Sequence, residues 1–108
     1  MIYKIDYSEN SLEDLKNIYE YIAFELFSPI TASTQVKRII KAISLLKRTP
    51  FMYKVYEEEP WQSKGIHIFS VDSYCIFYLP NKKSKSVTIV RIVYGGRGIA
   101  SMALEDNK

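Results

Sequence analysis

The stretch Val87-Thr88-Ile89-Val90-Arg91-Ile92-Val93-Tyr94-Gly95-Gly96-Arg97 decides how this chain is read. β-branched residues dominate it, which suits a pleated, half-buried surface better than a helix. It then runs directly into a Gly-Gly turn. Two similar runs precede it, Gly65-Ile66-His67-Ile68-Phe69-Ser70-Val71 and Ser73-Tyr74-Cys75-Ile76-Phe77-Tyr78-Leu79. Asp72-Ser73 makes a tight reversal between those two, and Pro80-Asn81-Lys82-Lys83-Ser84-Lys85 a polar turn before the third. Strands near 65–71, 73–79 and 86–94, joined by such short links, are expected to pair antiparallel with 73–79 in the middle.

Working outward, residues 2–7 alternate so that Tyr3, Ile5 and Tyr7 share one face of a fourth strand. Ser8 and Ser11 are both candidate helix N-caps, and Ser11-Leu12-Glu13-Asp14 has the form of a capping box with Asp in place of Glu. Leu12, Leu15, Ile18, Tyr19, Ile22 and Leu26 then form the apolar stripe of a helix of about five turns. Phe24 and Phe27 fall off that stripe. Ser28-Pro29 ends this helix and starts a second, with Ser as N-cap and Pro at the first helical position. Its stripe is Ala32, Val36, Ile39, Ile40, Ile43 and Leu46, while Lys37, Lys41 and Arg48 make a solvated row. Thr49-Pro50 stops it. Residues 51–63 carry no period and read as a loop crossing the sheet, anchored by Trp61. The order is β-α-α-β-β-β. This is an α+β, two-layer fold in one domain, residues 1–108: an N-terminal strand and an antiparallel helical hairpin packed on a small, mostly antiparallel sheet.

Composition narrows the function. A chain of 108 residues holds one core, and 47% hydrophobic with 25% charged residues argues against disorder. No apolar run approaches the ~20 residues that span a bilayer, so no membrane role is expected. Met1-Ile2-Tyr3-Lys4-Ile5-Asp6 lacks the pattern of a secretory leader, and the lone Cys75 suits a reducing compartment; a cytoplasmic location is expected. One His and one Cys cannot build a structural zinc site. Consecutive Glu57-Glu58-Glu59 point in different directions, and Gly95-Gly96-Arg97-Gly98 lacks nucleotide-loop spacing. No metal and no cofactor are expected. A net charge of +3 is modest for a protein that holds nucleic acid by phosphate neutralisation alone.

What remains is a basic and aromatic set at the end of the last strand: Tyr94 and Arg97, with Lys64 and His67 as candidate neighbours. Cleavage of RNA by its own 2′-hydroxyl needs a base, an acid for the leaving group and a cation for the phosphorane, and these residue types can fill those roles.

Three ordered fragments carry a family resemblance. Leu12-Glu13-Asp14-Leu15-Lys16-Asn17-Ile18-Tyr19-Glu20-Tyr21-Ile22 matches a first-helix pattern containing Asp-Leu, Ile and Tyr-Ile. Ile43, Leu46 and Pro50 match the close of the second helix. Arg91, Ile92, Tyr94, Gly95 and Arg97 match the last strand and its turn, with Gly98 where Asp is usual. Over about ninety residues the set resembles the RelE/ParE superfamily, the toxin halves of bacterial type II toxin–antitoxin systems of the plasmid stabilisation type.

The resemblance implies a growth-inhibiting toxin neutralised by a cognate acidic antitoxin, for which Phe24 and Phe27 are the expected contacts. Ribosome-dependent nucleases of the RelE branch look as though they use strand lysines and further arginines. Here that strand offers Ile66, His67 and Ile68, and Cys75 follows Tyr74 where Arg stands in them. On these residues the chain looks more like the ParE branch, which inhibits DNA gyrase by protein contact; Ile99, Met102 and Leu104 are then the expected target-binding anchors. The alternative is a RelE-like mRNA endoribonuclease acting with the ribosome, with Arg97, Tyr94 and His67 as its catalytic set.

Overall fold

The strand order is β1-β4-β3-β2 in the computed structural model, which describes residues 2–95. The strands are β1 (Lys4–Tyr7), β2 (His67–Val71), β3 (Tyr74–Asn81) and β4 (Ser86–Tyr94). β3 lies between β2 and β4 and is antiparallel to both, as the short links require. β1 adds parallel to β4, with Lys4 opposite Ser86 and Tyr7 opposite Ile89. The two helices between β1 and the meander supply the crossover that a parallel pair needs. The sheet is therefore mixed but mostly antiparallel, and the α+β reading holds.

Helix α1 spans Glu9–Glu20 and is capped by Ser8, whose Oγ accepts from the Ser11 N–H at 3.0 Å. The same Oγ donates to the Val90 carbonyl at 2.9 Å, so the cap also ties α1 to β4. Ser11 is not a cap. It is buried inside the first turn and donates its hydroxyl to the Ser8 carbonyl at 2.8 Å. The expected capping box fails because Ser8 already has the extended backbone that an N-cap requires.

α1 passes into a π-helical turn, Tyr21–Glu25. The wider turn shifts the stripe: Ile22 and Ala23 are buried, whereas Leu26, expected in the core, is exposed, as is Leu12 further back. Phe27 sits between the helices at φ +54. Helix α2, Pro29–Ser44, follows with Pro at its start and ends in a 3-10 turn, Leu45–Lys47. Ala32, Ile39, Ile43 and Leu46 are buried as expected, but Ile40 is exposed, turned towards the β1 edge.

Both faces of the sheet are covered. The helices pack Leu15, Ile39, Ile43 and Leu46 against Phe69, Ile76, Tyr78, Val87, Ile89 and Ile92. Burying each such side chain contributes roughly 1.5–3 kcal/mol. On the opposite face the 51–66 loop lays Trp61 and Ile66 on Phe77 and Val90, with the Trp61 and Phe77 rings 4.8 Å apart. Trp61 is thus the anchor expected of it. A bulge lets the two cores share β4: Phe77 pairs with Arg91 but Tyr78 with Ile89, so Val90 is the extra residue. Ile89 and Ile92 therefore both face the helices, while Val90 reaches the other side.

Candidate functional site

β4 ends at Tyr94, and the Gly95 N–H donates to the Ser73 carbonyl at 2.6 Å. A Cβ at Gly95 would stand 3.1 Å from that oxygen, tighter than ordinary contact, which accounts for glycine there. Next to this turn, α1 and the π-helical turn lean over β3 and β4 and leave a groove of about 780 Å³. Ile18, Tyr21, Ile22 and Leu26 form one wall; Tyr74, Ile92 and Tyr94 form the other. Tyr74 and Tyr94 are directly paired across the ladder and meet edge to face, centroids 5.7 Å apart.

The groove is braced by a buried ion pair. Arg91 Nε and Nη2 donate to the two carboxylate oxygens of Asp14 at 2.8 and 2.9 Å, and the Ile92 N–H donates to Asp14 Oδ2 at 2.9 Å. Asp14 is only 9% exposed. A two-point pair with a third hydrogen bond fixes where α1 sits on β4. The sequence suggests a capping role for Asp14 and a place in the last-strand pattern for Arg91, but not that the two pair. The available signal was a lone charge in an apolar strand, which demands a partner.

Among the described residues, none that lines the groove is Lys, Arg or His. Burial, then the neighbouring Tyr94, Tyr21 and Asp72, pushes the Tyr74 hydroxyl up, so it stays protonated at neutral pH. The described lining is mostly aromatic and aliphatic, with Asn17, Thr31 and the ion-paired Asp14 carboxylate as its polar members.

Of the expected catalytic set, His67 and Tyr94 are the described members, and they stand apart. His67 pairs with Tyr78, whereas Tyr94 pairs with Tyr74 at the other end of β3, roughly 13 Å along the strand. There, His67 Nδ1 meets the Tyr53 carbonyl at 2.7 Å, and the ring sits between Phe51 and Tyr78. Lys64 precedes Gly65, which approaches Leu79, so it too lies towards the far end. Arg97 and the anchors Ile99, Met102 and Leu104 lie outside the described residues. Phe24 and Phe27 are 65% and 87% exposed and share the hairpin tip with Leu26 and Ile30. Among the described residues no three His, Cys, Asp or Glu side chains gather as a metal site would require, and no helix is long and apolar enough to cross a membrane.

The family profile described as the ParE toxin of the type II toxin–antitoxin system parDE matches residues 5–98. The chain belongs to the ParE toxin family. No curated protein matches this ParE-family toxin in sequence. Among solved structures it is similar to a chain of the chromosomal ParDE system from P. aeruginosa, with TM-score 0.70 and 18% identity over 86% of this chain and 96% of that one. The toxin–antitoxin complex RelBE2 from Mycobacterium tuberculosis gives 0.63 and 17%, over 87% of this toxin and 99% of the matched chain. A mutant E. coli toxin RelE in the free state gives 0.65 and 14%, over 97% of each. At these identities the three likenesses speak to fold, which ParE and RelE toxins share.

Proposed function

We propose that this toxin arrests growth by protein contact, with DNA gyrase as its target, and that a cognate acidic antitoxin neutralises it. The observation that carries the reading is the groove beside Tyr94, whose described lining is rich in tyrosines and aliphatic side chains and includes no cationic residue. A nuclease surface needs cations where phosphate charge develops; a docking groove needs apolar anchors. The separation of His67 from Tyr94 supports the same choice. The antitoxin is assigned to the exposed Phe24 and Phe27 at the hairpin tip, where a folded-on-binding segment covers an apolar patch. The ParDE and RelBE neighbours, solved as toxin–antitoxin systems, support such a partner.

The test is supercoiling of relaxed plasmid by purified gyrase with and without the toxin, beside a translation reaction probed for mRNA cuts. Loss of supercoiling with intact mRNA is expected. Ribosome-dependent cuts by the unmodified protein overturn the reading and restore Arg97 and Tyr94 as a catalytic pair.

A further inference from the structure

The modest net charge of +3 conceals a strong segregation. Lysines crowd the end of the sheet farthest from the groove. The Lys4 N–H donates to the Lys85 carbonyl and the Tyr3 N–H to the Lys47 carbonyl, both at 2.8 Å, which draws the start of β1, the end of α2 and the β3–β4 turn together. Lys82 Nζ stands 5.3 Å above the Phe51 ring, and Lys85 Nζ 6.0 Å from that of Tyr3. The Tyr3 and Phe51 rings meet edge to face at 6.3 Å. Lys4, Lys47, Lys82, Lys83 and Lys85 are all exposed at this end of the sheet, where Phe51 is 45% exposed and lies under Lys82. The carboxylate in this region is Asp6, 3.5 Å from Lys4 Nζ. Other described acids lie along α1 and its π-helical turn and in the 57–59 run, and Asp72 sits at the opposite end of the β2–β3 ladder.

The turn is built to present these cations. Asn81 Oδ1 accepts from the Lys83 and Ser84 N–H groups at 2.9 and 3.0 Å. Lys85 holds φ +54, a left-handed conformation in which glycine or asparagine is favoured. A lysine there places a charge against the local preference of the backbone, and such a strained residue points to use.

We propose that this end of the toxin binds a single-stranded polynucleotide, with a base stacked on Phe51 and phosphates on these lysines. An aromatic face set among cations is the arrangement that single-strand binders use, since every base offers a π-face. An acidic peptide would engage the lysines with no requirement for the Phe51 face, which a stacked base would use. The surface is separate from the groove and stands whether or not gyrase is the target, because gyrase inhibition and oligonucleotide binding are read in different assays.

The experiment is fluorescence anisotropy of the full chain with oligothymidylate and oligouridylate of about 16 nucleotides, a duplex of equal length, and labelled polyglutamate. Both single strands are expected to bind, with affinity falling about 10²-fold between about 50 and about 200 mM salt, as several phosphate contacts require. Preference for one strand type separates DNA from RNA as the source. Lys82→Gln/Lys85→Gln should weaken binding about tenfold and flatten the salt slope by about 1.4. Phe51→Leu, which keeps apolar cover over Tyr3, should weaken it about tenfold at an unchanged salt slope. Thermal unfolding of each variant shows that the fold persists. No binding at low salt, binding unmoved by the lysine pair, a duplex bound as well as the single strands with Phe51→Leu silent, or capture of polyglutamate alone each overturns the proposal.

Discussion

Asp14 and Arg91 stand 77 residues apart in sequence and meet in a buried, two-point ion pair that fastens the first helix to the last strand. Because α1 is also one wall of the groove, the pair sets the groove's width. Replacing Arg91 by Met leaves the Asp14 carboxylate buried without its counter-charge, and a broken buried pair costs about 3–5 kcal/mol. Urea unfolding of Arg91→Met should show that loss. A joint replacement of both residues by apolar ones of similar volume should recover most of it.

Asp72 caps the β2–β3 reversal at φ +54 and accepts from Arg38 Nε and Nη2 and from Gln35 Nε2 at 2.8–2.9 Å. The hydrogen bonds from Arg38, then Gln35, hold its carboxyl at about 2, below the usual 3.8. The folded state therefore binds the proton less readily than the unfolded one. The contribution is complete above about pH 4 and is lost as pH falls through about 2. Asp72→Asn keeps a residue that tolerates the left-handed turn but should remove this acid-side slope from the melting temperature. An identical slope in wild type and variant would sink the assignment.

Phe27 carries a bulky side chain at φ +54 and is almost wholly exposed. Such a conformation stores strain of roughly 1–3 kcal/mol. Phe27→Asn should raise stability by about 1 kcal/mol in denaturant unfolding while weakening antitoxin binding in a titration. Equal affinity in the variant would remove Phe27 from the antitoxin contact.

Trp61 packs on Phe77 and Tyr56 and is 1% exposed. Trp61→Ala should cost about 3–5 kcal/mol and uncover the second face of the sheet. Increased binding of a hydrophobic dye at low denaturant checks this.

Tyr94 and Tyr74 make one wall of the groove; Tyr74 also packs on the main core, whereas the Tyr94 side chain is exposed. Tyr94→Ala should leave the melting temperature within a few degrees of wild type and reduce gyrase inhibition about tenfold or more, as loss of an aromatic anchor does. Undiminished inhibition would place the contact elsewhere.

The element order was legible because periodicity and turn chemistry are local. Ser28-Pro29 marked the helix junction, Asp72-Ser73 the reversal, and the 80–85 run the second turn. What escaped depends on the third dimension. Strict alternation along β4 would put Ile89 and Ile92 on opposite faces; the bulge at Val90 puts both under the helices. Helical periodicity likewise could not foresee the π-helical turn that expels Leu26. The candidate site suffered most. His67 and Tyr94 fall in neighbouring apolar runs, yet antiparallel pairing sends them to opposite ends of β3. Lysines scattered across residues 4–85 gave no sign in the sequence of meeting at one end of the sheet.

The parallel seam between β1 and β4 carries a consequence for biosynthesis. The first strand to leave the ribosome has as its ladder partner the last strand of the sheet. Until β4 emerges, β1 has no neighbour, α1 lacks both its serine tether and its arginine clamp, and the groove has only one wall. A nascent chain that has not yet delivered β4 therefore has neither a complete sheet nor a groove, and both arise together when that strand docks.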